Sequence, residues 1–213
     1  MDQKFAFLAG EGDHYFDRNA HKSVELEQNY ALTALKTLGV SPRSVLEIGC
    51  SDGARLDQIR QTYAAECCGI DPSTKAIAYG RTKFPQLHLD EGTADGLEFS
   101  DGQFDVVLFG FCLYLCDLKD HFRIAFQADR VLKDGGLLII YDFNTPLPYS
   151  NAYSHLTGIR SYKMDWSSMF TWSPSYRLLS RLYVEDRKPF TFDRDKQVSV
   201  DVMLKSVSLP TRL

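Results

Sequence analysis

The clearest chemical signal in this sequence is a loop flanked by two glycines, with an acidic residue just before it. The stretch Val45–Ile48 is short and apolar, and it runs into a loop, Cys50 to Asp52, that Gly49 and Gly53 flank. Glycines there allow a sharp turn and let backbone approach a ligand closely. A dinucleotide fingerprint reads G-x-G-x-x-G at this point, whereas here Ser51 holds the third position. Glu47 lies two residues before the first glycine, and its carboxylate would disfavour a diphosphate and favour a cationic ligand.

More polar residues follow the next apolar runs. Asp71 ends the run Cys67 to Ile70, and a carboxylate at such a strand end can accept hydrogen bonds from a ribose diol. Gly92-Thr93-Ala94-Asp95 follows a third run. Two further motifs are the apolar strand Phe104 to Phe109 and the segment Arg130 to Leu138, which contains Gly135-Gly136.

The elements that must position these residues alternate along the chain. Short apolar runs and helical stretches succeed one another between residues 43 and 143, which predicts a doubly wound, Rossmann-like α/β fold with a mostly parallel sheet. A helix is predicted over Ser23–Leu38, with Ser23 as its cap. Two late strands, Arg177–Glu185 and Gln197–Leu204, predict an antiparallel hairpin at the sheet edge. We divide a single domain, 1–213, into an N-terminal lid and helix (1–42), a core (43–143), a substrate-side insert (144–176) and C-terminal strands (177–213).

Composition limits the function classes. The chain has 213 residues, 44% of them hydrophobic, and a net charge of −4, which is ordinary globular composition without a basic surface for nucleic acid. The longest apolar run, Val106 to Cys116, is too short to span a membrane. The start of the chain lacks the pattern of a signal peptide. Five cysteines without framework spacing indicate reduced thiols, hence a cytoplasmic protein, and no cluster predicts a metal site.

Taken in order, E-I-G-C-x-x-G, G-I-D, T-A-D, F-D-V-V and R-V-L-K-x-G-G resemble the class I S-adenosylmethionine-dependent methyltransferases over residues 43–143. The resemblance implies a seven-stranded sheet whose last strand is antiparallel, and S-adenosyl-L-methionine as cofactor. It places Glu47 and the loop residues Gly49, Cys50, Ser51 and Gly53 around the amino acid part of the cofactor. Asp71, beside Pro72, would bind the ribose, and Ala94 and Asp95 would face the adenine. Phe109 and Gly110 would lie beside the methionine moiety.

The sequence departs from the family pattern at two positions. Ser51 stands where relatives often have glycine, so the loop is expected to differ slightly. Tyr114 stands where many relatives have a histidine base. There is also no D-P-P-Y or N-P-P-Y motif after the fourth strand, which argues against methylation of nucleobase amines or glutamine.

Two segments outside the core are candidates for the rest of the site. The stretch Gly10 to Asn19 is predicted to fold over the cofactor, with Tyr15, Phe16, Arg18 and Asn19 as contacts; the alternative is a surface cap. The aromatic-rich insert follows the fifth strand, where open α/β sheets bind ligands. Trp166, Phe170 and Trp172 there either contact substrate or simply pack. For a hydroxyl acceptor, Asp142 and His155 are the candidate general bases.

The predicted reaction is transfer of the sulfonium methyl group to a small polar acceptor, by a monomer or homodimer without membrane or nucleic-acid partners. The N-terminal G-E-G-D-H-Y-F-D-R-N and the Y-K-M-D-W-S-S-M-F segment resemble bacterial methyltransferases of surface-sugar pathways, which favours O- or N-methylation of a sugar or nucleotide-sugar. Three alternatives remain: a non-catalytic cofactor-binding subunit, a methyltransferase acting on a protein or quinone, and a nucleotide-dependent oxidoreductase.

Overall fold

A computed structural model describes residues 2–19, 29–184 and 193–208. Its strands are β1 (Ser44–Ile48), β2 (Glu66–Asp71), β3 (His88–Glu91), β4 (Phe104–Gly110), β5 (Leu132–Phe143), β6 (Tyr149–Ala152), β7 (Arg160–Lys163), β8 (Tyr176–Val184) and β9 (Val198–Lys205). The helices are α1 (Gln3–Ala6), a π-helical turn (Phe7–Glu11), α2 (Gly12–Asn19), α3 (Tyr30–Thr37), α4 (Ala54–Tyr63), α5 (Thr74–Lys83), α6 (His121–Val131) and α7 (Ser168–Thr171).

Seven strands form one sheet in the order β3-β2-β1-β4-β5-β9-β8. The pairs from β3 to β5 are parallel, and β9 pairs antiparallel with both β5 and β8. This confirms the predicted fold class, a Rossmann-like doubly wound sheet with an antiparallel last strand. The late hairpin lies at the sheet edge as predicted, with β9 inside and β8 outermost.

Both faces of the sheet are covered, which explains why the strands read as continuous apolar runs rather than alternating ones. Side chains of Leu46, Ile48 and Val107 belong to one buried cluster. Their neighbours Val45 and Leu108 belong to the other. The carboxyl ends of the parallel strands lie at one edge of the sheet. Gly49, Asp71 and Gly110 are found at this edge.

The element bounds differ from the sequence predictions in two places. Helix α3 begins at Tyr30, where the Asn29 side chain caps it by accepting from the Leu32 N–H at 3.1 Å. The predicted Ser23 cap and the Glu185 end of the eighth strand lie outside the described residues. The insert, which shows no period in sequence, contains the β6–β7 hairpin and α7. Among the described residues, no helix is long and apolar enough to cross a membrane.

Candidate functional site

A cavity of about 800 Å³ opens at the carboxyl ends of the central strands, beneath the N-terminal segment (residues 2–19). Its wall includes the loop after β1, the ends of β2 and β4, and the loop after β3. Its volume suits a ligand of drug size or larger, and this position is where open α/β sheets bind ligands. Of the sequence-predicted cofactor residues, the wall contains Gly49, Cys50, Ser51, Asp71, Pro72, Ala94, Asp95, Gly110 and Tyr15.

The loop after β1 is held in a conformation that brings backbone to the cavity. Gly49 has φ +76°, and a Cβ atom there would lie 2.5 Å from Cys112 Cβ, so only glycine fits. Ser51 has φ +51°, the left-handed conformation that a glycine would adopt without strain. The Ser51 departure therefore leaves a glycine-like backbone in place, and its N–H donates to Asp71 Oδ2 at 2.9 Å.

Asp71 lies at the end of β2, at the position that the family resemblance assigns to ribose binding. One carboxylate oxygen accepts from Ser51 N–H and the other from Ser73 N–H, both at 2.9 Å. Burial raises the pKa of Asp71 to about 6, against the lowering effect of these two hydrogen bonds. Each oxygen keeps a further acceptor site, so the carboxylate is rigidly placed and still able to accept from a diol.

Asp95 lies at the predicted adenine end and is paired with the N-terminal segment. Lys4 Nζ donates to Asp95 Oδ2 at 2.8 Å, and both side chains line the cavity. Burial acts to raise the pKa of Asp95, but the hydrogen bond from Lys4 holds it below its usual value. The carboxylate is therefore ionised and already has one donor before any ligand arrives.

Glu47 does not line the cavity wall. It is fully buried and forms an ion pair with Arg55, which does line the wall. Burial raises the pKa of Glu47 to about 7 even against the Arg55 guanidinium. The expectation that Glu47 presents a free negative charge to a cationic ligand is therefore wrong, because Arg55 neutralises it.

The wall as a whole is nevertheless acidic. Six aspartates line it, namely Asp52, Asp57, Asp71, Asp95, Asp117 and Asp120. Three basic side chains face them: Lys4, Arg55 and Lys83. An excess of carboxylates favours a ligand with cationic groups, such as a sulfonium and an ammonium.

Three residues predicted to contact the cofactor, Gly53, Phe109 and Arg18, instead pack or form hydrogen bonds around the site. Gly53 begins α4 with φ +79°, and a Cβ there would lie 2.8 Å from Leu87 Cδ1, so this glycine allows close helix packing. Phe109 is completely buried and packs against Phe170 at 6.3 Å between ring centroids. Arg18 donates to Glu11 at 2.5 Å and to the Tyr153 hydroxyl at 2.9 Å. None of the three lines the cavity.

The N-terminal segment covers the cavity, and Tyr15, Phe16 and Asn19 contribute to the wall. Asp13 anchors the segment by accepting from Ser73 Oγ at 2.7 Å and from Lys75 N–H at 3.0 Å. Because Ser73 N–H also donates to Asp71, the segment is tied directly to this carboxylate.

A second anchor of the N-terminal segment is Gln3. Its Nε2 donates to the Leu115 carbonyl at 2.7 Å, and its Oε1 accepts from Arg160 N–H at 2.9 Å. The segment is therefore pinned between the loop after β4 and the β6–β7 hairpin.

The geometry does not support either predicted general base. Asp142 is buried, and its oxygens accept from the N–H groups of Leu113 (2.8 Å), Tyr114 (3.3 Å) and Phe143 (2.7 Å). Burial raises its pKa to about 7. It fixes the loop after β4 and does not reach the cavity wall. His155 is exposed, packs edge-on against Tyr153 at 5.2 Å, and is also absent from the wall.

The positions of the aromatic residues in the insert favour the interpretation that they pack rather than contact substrate. Trp166 and Phe170 are buried in the core, and Trp172 is 75% exposed. None of the described residues 144–176 lines the cavity, so the insert supports the N-terminal segment from outside. Tyr114, at the position of the family histidine, is buried, and its hydroxyl lies 3.4 Å from that of Tyr15.

Sequence reasoning missed Lys4, Arg55, Tyr30, Phe111 and Tyr141, which all line the cavity. Phe111 directly follows β4 and has φ +66°, a conformation that costs a bulky residue about 1–3 kcal/mol. Position after a strand end was an available signal for Phe111, whereas its backbone strain has no signature in sequence. Among the described residues, no group of three metal-ligating side chains comes together.

Comparison with known proteins agrees with this geometry. Residues 46–140 match the family described as a methyltransferase domain. The matched segment contains β2 to β4 and most of β1 and β5, the strands whose carboxyl ends form the cavity.

The chain is 30% identical over 130 residues to an uncharacterised methyltransferase of Synechocystis, covering 61% of each chain. It is 34% identical over 143 residues to a demethylmenaquinone methyltransferase of Tropheryma whipplei, covering 62% of this chain and 55% of that one. The chain thus spans 55–61% of these curated relatives.

Among solved structures, a Burkholderia thailandensis 1,6-didemethyltoxoflavin-N1-methyltransferase, with its substrate and S-adenosylhomocysteine bound, superposes with a TM-score of 0.72 at 12% identity. The match covers 95% of this chain and 87% of that one. At that identity the similarity shows the fold alone. The methyltransferase-domain match supports S-adenosylmethionine as the cofactor.

Proposed function

We propose that this chain transfers the methyl group of S-adenosylmethionine to a small molecule. The observation that carries the proposal is the covered acidic cavity at the carboxyl ends of β1, β2 and β4, where Asp71 and Asp95 lie at the positions that the family resemblance gives to ribose and adenine. The sulfonium cofactor is already activated, so the protein has to align the acceptor and exclude water. The N-terminal segment, anchored through Asp13 and Gln3, provides that cover.

A small acceptor is favoured over a protein or nucleic acid because the cavity lies beneath a folded segment rather than along an open groove. The cavity of about 800 Å³ has room for a cofactor and a compact partner, within the range typical of small-molecule sites. A non-catalytic cofactor-binding role is less well supported, since the wall extends beyond the predicted cofactor contacts to Tyr30, Phe111 and Tyr141.

The sugar or nucleotide-sugar acceptor predicted from the sequence would gain support if the insert aromatics Trp166, Phe170 and Trp172 faced the cavity. Because those side chains pack in the core or face solvent, they do not give this support. The surface-sugar association rested on two short segments, and nothing in the cavity wall adds to it.

The test is a transfer assay with radiolabelled methyl groups. Purified protein would be incubated with [methyl-³H]S-adenosylmethionine and a bacterial extract separated into fractions below and above about 3 kDa. We expect label to enter the low-mass fraction, and Asp71→Ala to abolish the transfer. Asp90→Ala is the matched control, because Asp90 is exposed and pairs with Arg81 outside the cavity. Label found only in macromolecules, or no wild-type transfer in any fraction, would contradict the proposal.

A further inference from the structure

One part of the cavity is lined by aromatic rings, and of these only Tyr15 is a predicted cofactor contact. Tyr15 comes from α2, Tyr30 from α3, Phe111 from the loop after β4 and Tyr141 from β5. We call these four residues the aromatic wall. We propose that the methyl acceptor is a planar aromatic or heteroaromatic ring that stacks against this wall, an inference that rests on the proposed function.

Phe111 has a strained backbone conformation at the edge of the cavity. Its φ of +66° is a conformation that bulky residues rarely adopt, and glycine would adopt it without strain. Phe111 N–H donates to the Tyr141 carbonyl at 2.9 Å, which holds the strained turn in place. A strained residue at a ligand cavity points to a role for its side chain.

The rings of the aromatic wall are rigidly supported by one another and by neighbouring rings. Phe111 lies 5.2 Å from Tyr141 between ring centroids, and Tyr30 lies 5.5 Å from Tyr141. Behind the wall, Phe111 packs against Tyr114 at 5.1 Å and Phe143 at 5.0 Å. These separations are typical of favourable aromatic pairs, so the wall offers a fixed platform for another flat ring.

Two polar groups beside the aromatic wall are already engaged within the protein. Arg55 lies 5.3 Å from the centre of the Tyr141 ring, but its guanidinium is bound to Glu47. The Tyr15 hydroxyl faces that of Tyr114. A polyhydroxylated sugar loses hydrogen bonds to water on entering such a site and needs replacements, whereas a flat apolar ring does not.

The chemistry of the acceptor points the same way. No histidine is present in the cavity wall of the described chain, and Asp142 is engaged with backbone N–H groups. A phenolic hydroxyl, with a pKa of about 10, can lose its proton to water far more readily than a sugar hydroxyl. The resulting oxygen attacks the methyl carbon, the S–CH₃ bond breaks, and its electron pair stays on sulfur, giving a methyl ether and S-adenosylhomocysteine.

The probe is 2,3-dihydroxynaphthalene, with methyl α-D-glucopyranoside as the non-aromatic comparison. Calorimetric titration into protein saturated with S-adenosylhomocysteine should show binding of the naphthalene probe and none of the glucoside. With S-adenosylmethionine, mass spectrometry should show the monomethyl ether. Phe111→Leu should weaken binding of the naphthalene probe about tenfold, and Phe111→Tyr should retain it. Phe122→Leu, at an 84% exposed ring outside the cavity, should change nothing.

Retained binding of S-adenosylhomocysteine by Phe111→Leu shows that the variant is folded. If wild type binds the cofactor product but not the naphthalene probe, or binds the glucoside more tightly, the inference is wrong while the proposed function stands. Equal affinity of wild type and Phe111→Leu for the naphthalene probe also overturns it. If the wild type does not bind S-adenosylhomocysteine at all, the proposed function fails first, and the inference fails with it.

Discussion

Lys4 reaches from the N-terminal segment to Asp95 across one end of the cavity, with Nζ and Oδ2 2.8 Å apart. The carboxylate that the family resemblance assigns to the adenine amine is thus already hydrogen-bonded to the segment that covers the site. An arriving adenine must share Asp95 with Lys4 or displace it. Closure of the segment and occupation of the adenine end are therefore linked through one carboxylate.

This ion pair predicts a change in both stability and cofactor exchange. Lys4→Met leaves the Asp95 carboxylate, 8% exposed, without its charged donor, and should lower the free energy of unfolding by about 1 kcal/mol. Dissociation of S-adenosylhomocysteine should become faster, because the segment loses an anchor. Urea denaturation and stopped-flow displacement measure the two effects. Arg81→Met removes an exposed pair with Asp90, away from the N-terminal segment and the cavity, and is the control. Unchanged stability and exchange in Lys4→Met would show that the pair is not an anchor.

Asp71 predicts that cofactor affinity depends on pH. Burial raises its pKa to about 6, so the free protein holds a proton there below pH 6. Ribose hydroxyls donate best to the ionised carboxylate, and binding therefore releases that proton. Affinity should rise with pH up to about 6 and level off above it. Calorimetry at pH 5.5 in two buffers of different ionisation enthalpy measures the proton release, which Asp71→Asn should abolish. Affinity independent of pH between 5 and 7 would contradict this role.

The buried carboxyl of Asp142 should make the stability of the fold depend on pH. Its pKa is raised to about 7 from an ordinary value near 3.8, so the folded state retains a proton that the unfolded chain has lost. The stabilisation is complete below about pH 3.8 and is lost as pH rises to 7. Against the non-titrating variant Asp142→Asn, wild type should therefore lose about 2–3 kcal/mol of relative stability between pH 5 and 8. Urea denaturation at both values measures this difference. A constant difference would refute the assignment.

Alanine substitutions of the two tryptophans of the insert should have very different effects on stability. Trp166 is 1% exposed and its ring lies 5.3 Å from that of His121, so Trp166→Ala should cost about 3–5 kcal/mol. Trp172 is mostly exposed, and Trp172→Ala should change stability by less than about 0.5 kcal/mol. Denaturant midpoints of the two variants measure the contrast. A large loss of transfer activity in Trp172→Ala with full stability would restore the substrate-contact interpretation.

Local pattern was sufficient to predict the sheet and the backbone of the site. Apolar runs ending in Gly49, Asp71 and Gly110 placed these residues at one sheet edge, because parallel strands share their direction. Ion pairs between side chains on different elements have no such signature in the sequence. The ion pair of Glu47 with Arg55 and that of Lys4 with Asp95 depend on how a helix and a terminal segment dock. Asp142 was misassigned because position at a strand end does not show that backbone N–H groups occupy its oxygens.

The central claim is that S-adenosylmethionine binds in the covered cavity with Asp71 at its ribose. Calorimetric titration of wild type and Asp71→Ala with S-adenosylhomocysteine, and separately with NADH, tests it most directly. We predict one site of micromolar affinity for S-adenosylhomocysteine, lost in Asp71→Ala, and no binding of NADH. Binding of NADH without S-adenosylhomocysteine, or equal affinity of the two proteins for S-adenosylhomocysteine, would contradict the claim.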